Sequence, residues 1–180
     1  MELDRVIVGK EIQLQQFLEE DVSEEYLSWL SNSFINKYLE VRFTRHDMVS
    51  AREYVKKCLE SPDTLFLKIN FGEEKMIGSC TVSHNPNHKT AEIGLMIGDQ
   101  NFHNRGIGSE VVLLLRDYCC SSLAVRKVTA GLYSSNFGSL RAFLKNEFFL
   151  ESTLKFQVLL DEKPEDVYRL AYFCPCLLKE

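Results

Sequence analysis

Two glycines one residue apart, in the stretch HNRGIGSE at 103–110, carry the clearest chemical signal in the sequence. They stand directly before the apolar run VVLLL, a pattern typical of the start of a buried helix. The first turn of a helix has backbone N–H groups without intrahelical partners and a partial positive charge. Because glycine has no Cβ, phosphate oxygens can approach that backbone closely. Gly106 and Gly108 therefore predict a phosphate-binding loop, and a tight turn without a ligand is the alternative.

Two common nucleotide-binding loops do not fit these residues. A dinucleotide-binding fingerprint needs a third glycine where Val111 stands. An NTP-binding loop needs Gly-Lys followed by Ser or Thr, and the chain has no such step. Both readings are therefore excluded.

The hydrophobic periodicity around the loop predicts an α+β fold. A strand at 11–18 is followed by a helix in EEYLSWL, capped by Asp21 or Ser23, and by a helix in HDMVSAREYVKKCLES. The later elements are strands at 65–70, 76–83 and 91–98, a helix at 109–122, a strand at 127–134, a helix at 136–146, and a hairpin of strands at 152–160 and 166–173. No linker or repeat interrupts the pattern, so residues 1–180 are expected to form one domain.

The segment AEIGLMIGDQNFHNRGIGSEVVLLL, followed by KVTAGLYSSNFGSLRAFLKNEFF, resembles the acetyl-CoA-binding core of the GNAT N-acetyltransferases. It looks most like the branch of ribosomal-protein and amino-sugar N-acetyltransferases, over about residues 12–172. The resemblance implies a central, mixed, mostly antiparallel twisted sheet flanked by helices, with a splayed strand pair that holds acetyl-CoA. It also implies an acyltransferase that uses acetyl-CoA as co-substrate, needs no metal, and moves the acetyl group directly to a primary amine.

The resemblance assigns the coenzyme contacts as well. The family's loop, Gln/Arg-x-x-Gly-x-Gly/Ala, falls on 103–108, where His103 departs from the pattern. Pantetheine is expected to pair with the strand edge at 96–98, and Asn136 is expected to contact the coenzyme, to cap the next helix, or both. Arg105 reaches a phosphate or points to solvent. The residues expected at the coenzyme are Met96, Ile97, Gly98, His103, Asn104, Arg105, Gly106, Ile107, Gly108, Ser109, Asn136 and Phe143.

Acetyl transfer from a thioester needs a neutral amine, and hence a base. Glu92 is the candidate, since several GNAT enzymes have a glutamate at this strand position that acts through water. His84 or His88, in the preceding loop, is the alternative. A covalent route through Cys80 with His84 is a further alternative.

The leaving thiolate needs a proton. Many relatives have an acid tyrosine where this chain has Phe143, which has no proton to give. Ser139, Tyr133 or water is expected to supply the proton instead.

The acceptor site is expected around SFINKYLEVRFTRH, between the first two helices and the closing hairpin. Tyr38 and Arg42 are its candidate residues, and Arg42, Arg45 and Lys37 could meet a nucleotide diphosphate or be solvated surface charges. The first hypothesis is a small amine acceptor such as an amino sugar nucleotide. The alternatives are a protein N-terminus of the ribosomal-protein type and, in another class, a non-catalytic module that senses acetyl-CoA.

Composition limits the partners and the compartment. The net charge is −5, no apolar run is long enough to cross a bilayer, and the N-terminus has no leader-like apolar segment, so neither nucleic acid nor a membrane is expected as a partner. A cytoplasmic protein with reduced thiols is expected. The cysteines are Cys58, Cys80, Cys119, Cys120, Cys174 and Cys176, without the spacing of a zinc site. Homodimers are common in the family, and no residue decides that question here.

Overall fold

The computed structural model describes residues 1–3 and 5–175. The elements follow the predicted order, preceded by a two-residue strand that the periodicity does not indicate. They are β1 Ile7–Val8, β2 Ile12–Gln16, α1 Glu24–Ser31, α2 Met48–Glu60, β3 Thr64–Phe71, β4 Lys75–Asn85, β5 Thr90–Ile97, α3 Ile107–Ser121, β6 Lys127–Tyr133, α4 Phe137–Lys145, β7 Phe149–Leu160 and β8 Lys163–Phe173.

The described strands form one sheet in the order β1-β2-β3-β4-β5-β6-β8-β7. Neighbouring strands are antiparallel except β5 and β6, which are parallel from the pair Thr90–Lys127 to the pair Glu92–Thr129. The pairing of β5 with β6 ends at Glu92, and the two strands separate beyond that residue. The predicted α+β class and the mixed, mostly antiparallel sheet with a splayed strand pair are confirmed.

The side chains of β5 alternate between two hydrophobic cores on opposite faces of the sheet. Ala91 and Ile93 pack in the core that contains the buried face of α3. Met96 packs in the other core, with Trp29 of α1 and Val55 of α2. Both faces of β5 are therefore covered, and its open side is the edge toward β6.

The first two helices begin at capping residues. Ser23 caps α1 by accepting the Tyr26 N–H at 3.2 Å. Asp47 caps α2 by accepting the Ser50 N–H at 2.7 Å, and the hydrogen bonds from Ser50 lower the pKa of the Asp47 carboxyl. Asp21, the alternative cap of α1, pairs instead with Lys68 at 2.7 Å. The segment between the helices contains a short 3-10 turn, Glu40–Phe43.

The prediction that all cysteines are reduced is wrong for one pair. Cys120, in the last turn of α3, and Cys174, just after β8, form a disulfide with their Cα atoms 5.6 Å apart. The two residues are 54 positions apart in sequence, so only the packing of α3 beside the end of the sheet brings them together. Cys58, Cys80 and Cys119 are buried and free. Cys176 lies outside the described residues.

The described residues, 1–3 and 5–175, contain neither a membrane-spanning helix nor a metal-binding cluster. No helix there is long and apolar enough to cross a bilayer. Within the same ranges, no group of three or more His, Cys, Asp or Glu side chains is placed to hold a metal ion.

Candidate active site

The glycine loop places the start of α3 at the surface. Gly106 is the N-terminal cap residue, with φ at +85°, and Asn104 has φ at +59°, so both adopt the left-handed conformation that glycine and asparagine tolerate best. The first intrahelical bond runs from the Glu110 N–H to the Gly106 carbonyl at 3.1 Å. The N–H groups of 107–109 precede it and point out of the helix end. A Cβ on Gly108 would find Leu95 at 3.6 Å, an ordinary contact, so the backbone there is open.

A cleft of about 780 Å³ extends from this helix end along β5 to α4, and we call it the α3 cleft. Most of the predicted coenzyme residues line it. They are Met96, Ile97, His103, Asn104, Gly106, Ile107, Gly108, Ser109 and Asn136. Ser139, a candidate acid, and Tyr38, a candidate acceptor residue, line it as well. The tertiary structure thus brings residues from four separate segments, within 34–39, 95–97, 102–109 and 136–145, to one cleft.

Three predicted coenzyme residues lie outside the α3 cleft. Gly98 packs against Trp29, whose indole would be 2.0 Å from a Cβ at this position. The guanidinium of Arg105 stacks over the ring of Phe102, 4.9 Å from its centre. Phe143 is buried in the core. For each of these residues, packing accounts for the residue type without a ligand.

The edge of β5 toward the splay has unpaired backbone groups. The Gly98 N–H donates to the Ile77 carbonyl at 2.8 Å, and successive residues of an antiparallel ladder point to alternate sides. Leu95 and Ile97 therefore direct their N–H and C=O groups away from β4, toward the gap left by β6. The His103 imidazole lies on this edge, with Nε2 2.8 Å from the Ile97 carbonyl oxygen. The edge can accept one added extended chain beside β5.

The start of α4 faces the same cleft. The Asn136 side chain accepts the Ser139 N–H at 3.2 Å and so caps α4, as one of the two sequence interpretations predicts. Arg141 and Lys145 also line the cleft, and they give it positive charge that the sequence motifs did not indicate. Together with the α3 N-terminus, these cations favour an anionic ligand.

A second cavity, of about 540 Å³, lies between α2 and the sheet, and we call it the α2 cavity. Its polar lining includes Glu40, His46, Ser79 and Thr81. Its apolar lining includes Leu30, Leu39, Val41, Ala51, Phe66, Leu95 and Met96. Leu39, Leu95 and Met96 line the α3 cleft as well, so the two cavities meet at the free edge of β5.

A hydrogen-bonded group of polar side chains joins β6 to the segment that lines the α2 cavity. The Tyr133 hydroxyl donates to Glu40 Oε1 at 2.6 Å and accepts from Arg42 Nη2 at 2.9 Å. Burial, and then the hydrogen bond to Glu40, raises the pKa of the Tyr133 hydroxyl. Arg42 also donates to the Leu159 carbonyl at 2.8 Å. Arg42, which was predicted to bind the acceptor, thus forms its hydrogen bonds with groups of the protein.

A family model for the acetyltransferase (GNAT) domain matches residues 11–148, well over half of the chain. The chain belongs to the GNAT acetyltransferase family. A curated relative, the N-acetyltransferase 9-like protein of Nematostella vectensis, is 38% identical over 74 residues. That match spans 37% of this chain and 37% of the relative, so the two align over about a third of the relative's length.

Solved structures of other acetyltransferases share the fold. The ribosomal L7/L12 alpha-N-protein acetyltransferase RimL, in complex with coenzyme A, has a TM-score of 0.83 at 20% identity and covers 94% of this chain and 98% of its own. Spermidine N-acetyltransferase from Vibrio cholerae, in complex with CoA and spermine, has a TM-score of 0.82 at 16% identity, with coverages of 92% and 97%. The predicted family, the fold class and the class of acetyl-CoA-dependent N-acetyltransferase are confirmed at the level of the family.

Glu92, the predicted base of this acetyltransferase, lies at the fork of the splay. Its carboxylate forms a two-point ion pair with Arg169 of β8, at 2.9 and 2.8 Å. It does not line either cavity, but it shares a face of β5 with Gly94, which lines the α2 cavity about 7 Å further along the strand. Its role as base stays a prediction.

The alternative base and the covalent alternative have little geometric support. His84 and His88 do not line either of the two cavities. Burial raises the pKa of the Cys80 thiol strongly, which disfavours the reactive thiolate. Cys80 and His84 are four positions apart on one unbroken strand, or about 13 Å, too far for proton transfer.

Sequence reasoning missed two residues that hold the acetyltransferase site together. Buried Asn146 donates through Nδ2 to the Ser109 carbonyl at 2.8 Å, to Ser109 Oγ at 3.0 Å and to the Ala142 carbonyl at 2.7 Å. Glu40 was missed because an exposed glutamate in a loop has no sequence signature. Asn146 was missed because it lies between Lys145 and Glu147 at the end of α4, where no hydrophobic pattern marks a buried residue.

Proposed function

We propose that this protein transfers the acetyl group of acetyl-CoA directly to a primary amine. One observation carries the proposal: the α3 cleft, built around a helix N-terminus and a free strand edge, meets the α2 cavity at Leu39, Leu95 and Met96. Two ligands can therefore come together beside β5. A direct transfer needs such a meeting point, because both reactants must be bound at once.

The residues of the α3 cleft fit acetyl-CoA. The N–H groups of 107–109 and the open backbone at Gly106 and Gly108 suit a diphosphate, and Arg141 and Lys145 add cationic groups along the cleft. The Leu95 N–H and C=O and the Ile97 N–H, which face the gap beside β6, suit the amides of a pantetheine chain, which can pair like an added strand. Acetyl-CoA, when bound, supplies the acetyl group as an activated thioester.

The chain offers an acid and a base for the transfer. The raised pKa of Tyr133 keeps its hydroxyl protonated at neutral pH, so it can give a proton to the leaving thiolate. Ser139, which lines the α3 cleft, is the second candidate. Glu92 can take the amine proton through water, since Gly94 puts no side chain on the face of β5 between Glu92 and the α2 cavity.

The acceptor hypotheses differ in the support that they receive. An amino sugar nucleotide needs cations for its diphosphate, yet among the described residues no lysine or arginine lines the α2 cavity. Arg42 is engaged elsewhere, and Lys37 lines the α3 cleft. RimL is an alpha-N-protein acetyltransferase of ribosomal L7/L12, and the Vibrio enzyme is a spermidine N-acetyltransferase. An amine that needs no phosphate contacts suits the cavity better.

The sensor hypothesis loses its main argument. It depended on Phe143 in place of an acid tyrosine, but Phe143 is buried against Phe148, with ring centres 5.0 Å apart. Its lack of a hydroxyl therefore says nothing about catalysis, and Tyr133 offers a hydroxyl at the splay.

Thiol release from acetyl-CoA tests the proposal. The protein is incubated with acetyl-CoA and, in turn, with short peptides that have free N-termini, spermidine, simple monoamines and an amino sugar nucleotide. Release that depends on one of these amines, with the acetylated amine identified by mass, is expected. Absence of release with every amine, from protein that binds acetyl-CoA by calorimetry, would refute an enzyme and favour the sensor.

A further inference from the structure

One carboxylate oxygen of Glu40 accepts a hydrogen bond, and the other is free to bind a ligand. Oε1 accepts the Tyr133 O–H at 2.6 Å, which holds the carboxylate in place. Within the described part of the chain, Oε2 has no hydrogen bond or ion pair. The residue is exposed and lines the α2 cavity next to Leu39, where the two cavities meet. A fixed carboxylate with a free oxygen at this point is suited to an ammonium group.

The charge of the α2 cavity is otherwise low. Glu40 is its one carboxylate among the described residues, and no lysine or arginine lines it. A polyamine has several ammonium groups along its length, and each would need a partner when it leaves water. A nucleotide diphosphate would lack cationic partners. The cavity therefore suits a ligand with a single positive charge.

Besides neutral polar groups such as Ser79 and Thr81, most of the wall of the α2 cavity is apolar. Val41, Ala51, Phe66 and Met96 line the cavity, and Ala51, Phe66 and Met96 belong to the hydrophobic core under α1 and α2. An apolar substituent that fills this volume gains by leaving water. A substituent as small as that of glycine would leave most of the cavity without contacts.

We infer that Glu40 binds the acceptor's ammonium group and that the α2 cavity holds one bulky apolar substituent beside it. The inference rests on the proposed function and names its substrate class: a primary amine with a single positive charge next to a large apolar group. A polypeptide N-terminus that begins with such a residue and a free arylalkylamine both present this chemistry.

The acceptor comparison measures kcat/KM for five amines at saturating acetyl-CoA. They are two tripeptide amides that differ only in a first residue of phenylalanine or glycine, phenethylamine, spermidine and an amino sugar nucleotide. We expect kcat/KM for the phenylalanine peptide or for phenethylamine to exceed that for each of the other three amines by about 10-fold or more. A factor of this size corresponds to the free energy of burying a few methylene groups. Of these two, the one with the higher kcat/KM shows whether the acceptor is a polypeptide N-terminus or a free arylalkylamine. Equal kcat/KM for the two peptides with phenethylamine no better than either, or preference for spermidine or the nucleotide, would overturn the inference and leave the proposed function standing.

The variant Glu40→Gln isolates the charge. Glutamine can still accept the Tyr133 O–H, so the local structure is kept. We expect KM for the preferred amine to rise about 10-fold, with the KM for acetyl-CoA little changed. Glu53→Gln, on the exposed face of α2, is the matched control and should not change any of these values.

A neutral acceptor separates charge recognition from a structural effect. A para-alkyl aniline is uncharged at pH 7 and has the same apolar bulk. Glu40→Gln should leave its KM near the wild-type value. An equal rise for the aniline and for the ammonium acceptor would overturn the role of Glu40. Absence of turnover with every amine in the wild-type protein would instead refute the proposed function itself.

Discussion

Gly108 is the residue on which the proposed diphosphate site depends most directly. Its backbone lines the α3 cleft in the first turn of α3, and a Cβ there meets only Leu95 at 3.6 Å. We expect Gly108→Val to fold normally and to bind acetyl-CoA at least about 10- to 100-fold more weakly, since the branched side chain blocks charge-assisted contacts of the phosphates. Calorimetry with acetyl-CoA measures the loss.

The control for this prediction is the substitution of Gly108 by a smaller side chain. Gly108→Ala adds only the Cβ and should show an intermediate affinity. Thermal melting of both variants checks the fold. A valine variant that binds acetyl-CoA like the wild type would show that no phosphate lies on this backbone.

Tyr133 is one of the two candidate acids for the leaving thiolate, although its hydroxyl donates to Glu40 Oε1 and its side chain lines neither cavity. Its pKa is raised above the ordinary value near 10, so the hydroxyl stays protonated across the neutral range and loses its proton only in strong base. We expect Tyr133→Phe to lower kcat by about 100-fold, the usual contribution of a general acid, with little change in the KM for acetyl-CoA. Steady-state kinetics from pH 7 to pH 10 measures the effect.

Tyr38→Phe is the matched control for the loss of a tyrosine hydroxyl. The Tyr38 hydroxyl donates to the Ser135 carbonyl at 3.3 Å and lies near Tyr133, with ring centres 5.9 Å apart. Its removal should change kcat much less. If Tyr133→Phe keeps the wild-type kcat, Ser139 or water supplies the proton.

At the scale of elements, Asn146 joins the two helices that frame the α3 cleft. Its side-chain amide connects Ser109 in the first turn of α3 to the end of α4. Because the amide is buried, Asn146→Ala leaves two carbonyls with fewer donors and costs about 2 kcal/mol of unfolding free energy. We expect Tm to fall by about 4–8 °C and the affinity for acetyl-CoA to fall too, as the α3 start loses its support.

Asn87→Ala, in the exposed turn between β4 and β5, controls for the loss of an asparagine. It should alter neither Tm nor affinity. A lower Tm for Asn146→Ala with unchanged acetyl-CoA affinity, by calorimetry, would limit Asn146 to packing.

At the scale of the whole molecule, the contact between the two cavities predicts the kinetic mechanism of the two-substrate reaction. The α3 cleft and the α2 cavity share Leu39, Leu95 and Met96, so both substrates can be bound together. The buried Cys80 has a raised thiol pKa and is a poor nucleophile. We expect initial rates with both substrates varied to give intersecting reciprocal plots, as a ternary complex requires.

Mass spectrometry provides the second measurement for this prediction. Protein incubated with acetyl-CoA alone should keep its mass, because no acetyl-enzyme forms. Parallel reciprocal plots together with an acetyl adduct on Cys80 would contradict direct transfer.

The sequence by itself determined the features that depend on neighbours along the chain. Periodicity predicted the order of strands and helices, Ser23 was one of the two candidate caps of α1, and the Gly106–Gly108 loop was expected directly before α3. These features follow from local backbone geometry and from hydrogen bonds between residues a few positions apart. A short segment of sequence therefore contains all the information that they need.

Only the tertiary structure decided how distant segments meet. It buried Phe143 in the core, placed Arg105 over Phe102, and joined Cys120 to Cys174. It also brought Glu40 to Tyr133, 93 positions later in the chain. Such contacts depend on the packing of whole elements against the sheet, and packing energy is shared among many residues. No short motif can therefore encode them, and the acceptor end of the site, unlike the glycine loop, was visible only in the fold.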